Sequence, residues 1–407
     1  MESIFFKKYY PLLIIVMLFS GFLFSRVLMN VGFLLAGVFV LFQSEKVNGA
    51  LRDKWLVSFL LIALLPLGYD IWYEGIDFYR EKGIMKMIVF LLPLFIVVWH
   101  PDKTTVSAVN KIIMATTLTA SAYSLFYYVT NFEDINLQYG QAKVMKVLAY
   151  QDHIRLSWVT AISMVLACFE LLRSRHLNYK IFLSVFIIFQ TIYLHVLGAR
   201  TGLIILYLTI LSGSIIFSHR LRKQYILLAP ILIILLIFLS YQHIPSFKSR
   251  VNFLKYDYSH YIKGQYKEGL SDAIRFFSIK AGIEMFKENP ITGVGFSRID
   301  ENIDRWYETH YPQVSPDSRF PPSSQYLIYL VSGGAIGFLL FAYHCLIPFT
   351  TAGLRNNKWL MLFLIPTFFS FLFETHLEGQ TPLFVYGFFA GWFLHLGNST
   401  TMLETES

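Results

Sequence analysis

"YILLAPILIILLIFLSY", residues 225–241, runs for seventeen positions without a charged side chain and without a regular polar face. A water-soluble amphipathic helix shows a polar stripe at every turn, and a half-buried strand shows a polar residue at every second position. A run with neither belongs where no face meets water. Its length fits the roughly 17–25 residues needed to cross about 30 Å of hydrocarbon.

Similar runs recur in both directions from this one. The chain has 407 residues, of which 55% are hydrophobic, 17% aromatic and only 15% charged. Its mean hydropathy is +0.52. Soluble domains carry about 25% charged residues, so a soluble globular protein is excluded. Twelve candidate spans cover roughly 10–25, 27–43, 55–70, 84–99, 112–131, 153–172, 181–199, 201–218, 225–241, 325–350, 358–375 and 382–398. The predicted fold is an all-α integral membrane protein with about twelve transmembrane helices. Helices 1–9 occupy 1–241, a large, partly helical outer loop occupies 242–324, helices 10–12 occupy 325–398, and a short tail occupies 399–407. Lys7 and Lys8 precede the first span and no small-residue cleavage site follows it, which reads as an anchor. Cys168 and Cys345 fall inside spans and read as buried thiols.

Lys and Arg concentrate in the even-numbered connections, where Lys46, Arg52, Lys54, Lys103, Lys111, Arg173, Arg175, Lys180, Arg220, Arg222, Lys223, Arg355 and Lys358 lie. The positive-inside rule therefore puts both termini in the cytoplasm and 242–324 outside. The formal net charge of +8 is explained by this anchoring and by attraction to anionic membrane lipids, with no need for nucleic acid.

The outer loop holds eleven basic and ten acidic residues, together with Trp306 and six tyrosines. Within it, "AIRFFSIKAGIEMFKE" (273–288) places Ile274, Phe277, Ile279, Ala281, Ile283 and Phe286 near helical spacing. Asn289-Pro290 ends that helix, because the residue before proline avoids the α region. The Gly-x-Gly that follows, Gly293 and Gly295, lacks a third glycine and follows a helix, so it reads as a turn and not a dinucleotide loop. No C-x-x-C, H-E-x-x-H, Walker or D-x-D pattern points to a metal or nucleotide site, and no cofactor is expected.

The middles of the spans are nearly free of charge, whereas ion-coupled transport usually places carboxylates at mid-depth. Arginines at the outer face are more telling, since the positive-inside bias should deplete them there. Arg155 opens the sixth span, Arg200 sits in the tight turn "GARTGL" (198–203), and the loop adds Arg275, Arg298, Arg305 and Arg319. A guanidinium held at a hairpin tip can offer a bidentate fork to phosphate, or can simply snorkel to headgroups.

"GARTGL", "NPITGVGF" (289–296) and "PPSSQYLIYLVSGGAIGFLLF" (321–341) together resemble the O-antigen ligase and polymerase family, over roughly residues 150–390. The resemblance implies a GT-C-like helical bundle in the bacterial inner membrane, with the large loop in the periplasm. It implies a glycosyltransferase that takes a glycan from undecaprenyl diphosphate and hands it to lipid A–core, or to another lipid-linked glycan in a polymerase. Arg200 and Arg275 match the family's diphosphate-binding arginines, and Arg155 is a weaker match. Arg298 joins them as a further cation on the same side. The family pattern has His-Asn ahead of "QYL", and this chain has Ser323-Ser324. Candidates for a general base are then His376 and Glu378 in "ETHLEGQTP", with His310 and Asp317 as alternatives. A polysaccharide or lipid transporter using the loop as a lid, and a scaffold for envelope assembly, are the readings from other classes.

Overall fold

A computed structural model describes residues 9–74, 82–140, 143–150, 152–218, 224–262 and 271–404. Lys7, Lys8, Arg220, Arg222, Lys223 and the end of the tail, 405–407, lie outside them. Among the described residues every regular element is a helix. In hydrocarbon each backbone N–H and C=O must be satisfied within its own segment, which leaves helices or closed barrels as the options.

The N-terminal third folds as α1 (Tyr10–Phe24), α2 (Arg26–Leu41), α3 (Ser44–Ala50), α4 (Lys54–Glu74), α5 (Lys82–Lys86), α6 (Ile88–Trp99) and α7 (Lys103–Thr130). Asp102 caps α7 by accepting from the Thr105 amide at 2.7 Å. Then come α8 (Phe132–Tyr139), α9 (His153–Arg173), α10 (Leu177–Leu197), α11 (Arg200–Ile216) and α12 (Gln224–His243). The expected outer loop contains α13 (Pro245–Ile262), α14 (Ser271–Glu288) and α15 (Ile299–His310). It is followed by α16 (Gln325–Thr350), α17 (Ala352–Arg355), α18 (Lys358–Ser370) and α19 (Gln380–Glu404).

Each of the twelve expected spans holds a helix, but the helices are unequal. Among the described residues six are long and apolar enough to cross a membrane: α4, α7, α9, α10, α12 and α16. The pair α2 and α3 would make a seventh, bent by 91°. α1, α11, α18 and the stretch through α6 are apolar but shorter. The fifteen residues of α1 reach only about 22 Å at 1.5 Å per residue. The expected span 84–99 is split, because a turn at Met87 separates α5 from α6.

α9 sits at the centre, with Leu156, Trp158, Val159, Leu166 and Phe169 buried in the main core. α12 lies at the periphery, where Leu227, Ile231, Ile234 and Phe238 are all exposed. That outward surface is what an uninterrupted apolar run predicts for a lipid-facing helix. A second, smaller core joins the loop helices to α16 through Phe277, Ala281, Met285, Ile303, Trp306 and Ile328. The buried stripe of α14 is thus Phe277, Ala281 and Met285, one turn apart. Ile283, expected on that stripe, is exposed.

Candidate active site at one end of the bundle

The "NPITGVGF" turn fixes the loop to the bundle by backbone pairing. Val294 and Gly295 donate their amides to the carbonyls of Val331 and Ser332, each at 2.9 Å, and Ala335 donates to Pro290 at 2.9 Å. This is possible because α16 breaks at Gly334, with φ 61° and ψ −157°. Gly293 has φ 73°, and a Cβ there would stand 2.5 Å from the Gly334 nitrogen. The opened helix presents carbonyls, the turn presents amides, and only glycine lets the two backbones meet. Phe296, the last residue of the turn, then lies under Lys86, whose ammonium is 5.2 Å from the ring centroid and 5.5 Å from that of Tyr329.

Lys86 donates to Glu378 Oε1 at 2.6 Å, with only 2% of its side chain exposed. Gln325, the first residue of α16, donates to the same oxygen at 3.1 Å. The Gln325 side-chain carbonyl accepts from the Leu377 amide at 2.7 Å, and the Gln325 backbone amide donates to Phe371 O at 2.8 Å. These bonds hold the connection between α18 and α19 in one shape. Among the described residues they reach Oε1 of Glu378 and no bond reaches its Oε2.

Glu374, four residues earlier, is gripped from two other elements. Arg275 of α14 donates Nη2 to its Oε1 at 2.7 Å, and Thr201 of α11 donates its hydroxyl to the same atom at 3.0 Å. Arg155, in the first turn of α9, donates Nη2 to Thr375 O at 2.8 Å, while Asp152 caps that turn. A cavity of about 420 Å³ opens between them. Its wall includes Arg155, Arg275, Ser323, Glu374, Thr375 and Glu378, with Phe320 and Ile328 on the apolar side. Two guanidiniums and two carboxylates thus converge on a space of small-molecule size.

Residues 182–342 match the family model described as O-antigen ligase. Over that segment the chain is similar to the O-antigen ligase family. No curated protein matches the chain.

The matched segment supplies Arg275 and Ser323 to the cavity, while Arg155, Glu374 and Glu378 come from outside the matched residues. Of the residues expected from sequence, the cavity therefore unites Arg155, Arg275 and Glu378. Arg200 begins α11 at the tip of the α10–α11 hairpin, half-buried, where Gly202 is pressed against Ser157 of α9. Its neighbour Thr201 reaches Glu374, but the Arg200 side chain is not part of the cavity wall.

Four of the residues expected from sequence lie apart from this cavity. Arg298 faces a neighbouring cavity of about 460 Å³, with its guanidinium 4.8 Å from the centroid of Tyr73 and Nη2 bonded to Tyr73 O at 3.1 Å. The turn of Ser297–Arg298 before α15 points it away from Arg155 and Arg275. His310 stacks on Trp306 at 4.9 Å and lies 3.9 Å from Glu284, so α15 carries it to the outer surface. His376 is fully buried against Trp158, 4.2 Å between ring centroids, and does not line the cavity. Burial first, and the charge of Arg155 second, hold its imidazole well below the usual pKa, so it is neutral. Asp317 lies in an exposed single turn, Pro316–Ser318, also apart from the cavity.

Ser324 caps α16 and donates to Phe371 O at 3.2 Å, while Ser323 faces the cavity beside Ser278. Sequence reasoning overlooked Lys86 and Gln325 as site residues and left Glu374 as a carboxylate near a span end. Lys86 did carry a signal, being a lone charge entering an apolar run. Gln325 carried none.

Proposed function

We propose that the chain is a membrane glycosyltransferase that moves a glycan from undecaprenyl diphosphate to lipid A–core at the periplasmic face of the bacterial inner membrane. What supports this reading is the convergence of Arg155 and Arg275 with Glu374 and Glu378 on one cavity, beneath the segment that is similar to the O-antigen ligase family. In this reading both termini are cytoplasmic and residues 242–324 are periplasmic.

The chemistry follows from charge. The acceptor hydroxyl oxygen bonds to the anomeric carbon as the bond from that carbon to the diphosphate oxygen breaks. The bonding pair leaves on the diphosphate, and the hydroxyl proton passes to Glu378 Oε2. Negative charge grows on the leaving group during the step. Fixed guanidiniums stabilise it, typically by about 10²–10³-fold per donor. Arg275 and Arg155 can fork two phosphate oxygens. Glu374 holds Arg275 in place beforehand, so the diphosphate meets an oriented donor, and Arg200 at the adjacent hairpin tip adds positive potential.

The test is glycan profiling of envelope extracts from a deletion strain complemented with wild type, Arg155→Ala or Arg275→Ala. Wild type should restore polymer-bearing lipid A, and both variants, inserted at normal levels, should accumulate polymer on undecaprenyl diphosphate. Accumulation of single repeat units would instead mean a polymerase that joins lipid-linked units. Normal glycans in both variants would remove the phosphate-clamp reading and favour a transporter.

A further inference from the structure

At the far end of α9 from Arg155, about 27 Å away along the helix, the structure has a second basic cavity. It measures about 430 Å³ and is lined by Lys103 and Lys111 of α7, Arg173 at the end of α9, Arg175 just after it, and Tyr179 of α10. The contrast with the first cavity is in the pairing. There both arginines already contact carboxylates. Here the one acidic wall residue, Glu170, is taken by Asn110 at 2.7 Å and Ser107 at 3.3 Å. Among the described residues none of the four cations is ion-paired to a carboxylate.

The Tyr179 hydroxyl adds a second, independent sign. It is buried and has no hydrogen-bond partner, while Lys111 lies 5.4 Å from the ring centroid. A buried donor without a partner, beside four cations that have no carboxylate partner among the described residues, is a cost that an acceptor entering the cavity relieves. The outer face of α10 below the cavity is apolar and exposed through Leu177, Ile181, Phe182, Val185 and Ile188. Head and stem chemistry are therefore continuous along one helix.

We infer that this cavity binds the phosphate headgroup of an anionic phospholipid in the membrane leaflet opposite the proposed active site, with its acyl chains along α10. Tyr179 donates to a phosphate oxygen, and Lys111 and Arg173 neutralise its charge. Cations at a membrane surface typically contribute enough to weaken anionic-lipid binding about fivefold per charge removed.

The experiment uses the full chain in nanodiscs and counts co-purifying lipids by native mass spectrometry as phosphatidylglycerol is titrated against phosphatidylcholine. Wild type should retain an additional phosphatidylglycerol that Lys111→Gln and Arg173→Gln each bind about fivefold more weakly. Tyr179→Phe should weaken it without altering the fold, and Arg355→Gln, a cation outside the cavity, should bind as wild type. Equal retention in wild type and the three cavity variants would overturn the inference. So would displacement of the lipid by millimolar inorganic phosphate, which would mean a site for free phosphate. None of these residues belongs to the proposed active site, so failure here leaves the glycosyltransferase reading intact.

Discussion

Lys86 and Glu378, 292 positions apart in the chain, form a 2.6 Å ion pair that ties α5 to the connection before α19. The pair is nearly dry on the lysine side, and Phe296 and Tyr329 face the ammonium. Through it, the "NPITGVGF" turn reaches the candidate general base.

Breaking that pair should be costly: a fully buried charge left without its partner costs about 3–5 kcal/mol, and Glu378, 23% exposed, falls below that range when Lys86 is removed. Lys86→Met is expected to lower the thermal midpoint of the detergent-solubilised protein clearly. Lys86→Met with Glu378→Gln should recover most of that loss. Equal midpoints for the single and double variants would show that the pair carries no coupling.

Glu378→Gln in a Lys86→Met background, compared with Lys86→Met alone, separates chemistry from binding, because no buried ammonium is left unpaired. Loss of a general base typically slows a reaction by about 10²–10⁴-fold. The double variant should still bind the lipid-linked donor, since Arg155 and Arg275 are untouched. Turnover in the double variant equal to that of Lys86→Met would transfer the proton-accepting role elsewhere.

Gly293→Ala forces a Cβ into the broken turn of α16, at a φ that side chains rarely adopt. Strain of this kind costs about 1–3 kcal/mol before the clash is counted. A reduced thermal midpoint and a looser loop in limited proteolysis are expected. Gly353→Ala, where a Cβ meets nothing within 4 Å, should change neither.

How much of this was legible in the sequence varies by element. The lipid-facing α12 was readable because its apolar run has no polar face, and Pro290 correctly ended α14. The break in α16 was not readable, since "LIYLVSGGAIGFLLF" scans as one continuous span and only its pairing with residues 290–295 explains Gly334. Arg155, Arg275 and Glu378 were legible as charges near span ends or in the long loop. Their convergence with Glu374 was not, because it depends on α9, α11, α14 and the α18–α19 connection meeting at one end. The position of His376 was not legible for the same reason: its neighbours in sequence are polar, but its neighbours in space are Trp158 and Phe371.

The burial of His376 has a pH consequence. Its folded-state pKa lies below the unfolded value of about 6.5, so the unfolded chain binds more protons at acidic pH. Its stabilising contribution is complete above about 6.5 and is lost as the pH falls below that value, by up to about 1.4 kcal/mol per pH unit. His376→Leu should therefore lose less stability than wild type between pH 7 and 5.5, as read by thermal midpoints at each pH. A midpoint difference between the two that does not change with pH would contradict the neutral, buried assignment.

The most direct test of the central claim is transfer by the purified chain from an undecaprenyl-diphosphate-linked glycan to lipid A–core, comparing Arg275→Ala with Arg298→Ala. Arg275 faces the Glu374–Glu378 cavity, whereas Arg298 faces Tyr73 in the neighbouring one. The account predicts that Arg275→Ala loses about 10²–10³-fold in turnover while Arg298→Ala stays near wild type. Loss in Arg298→Ala with wild-type turnover in Arg275→Ala would place the diphosphate in the other cavity and contradict the account.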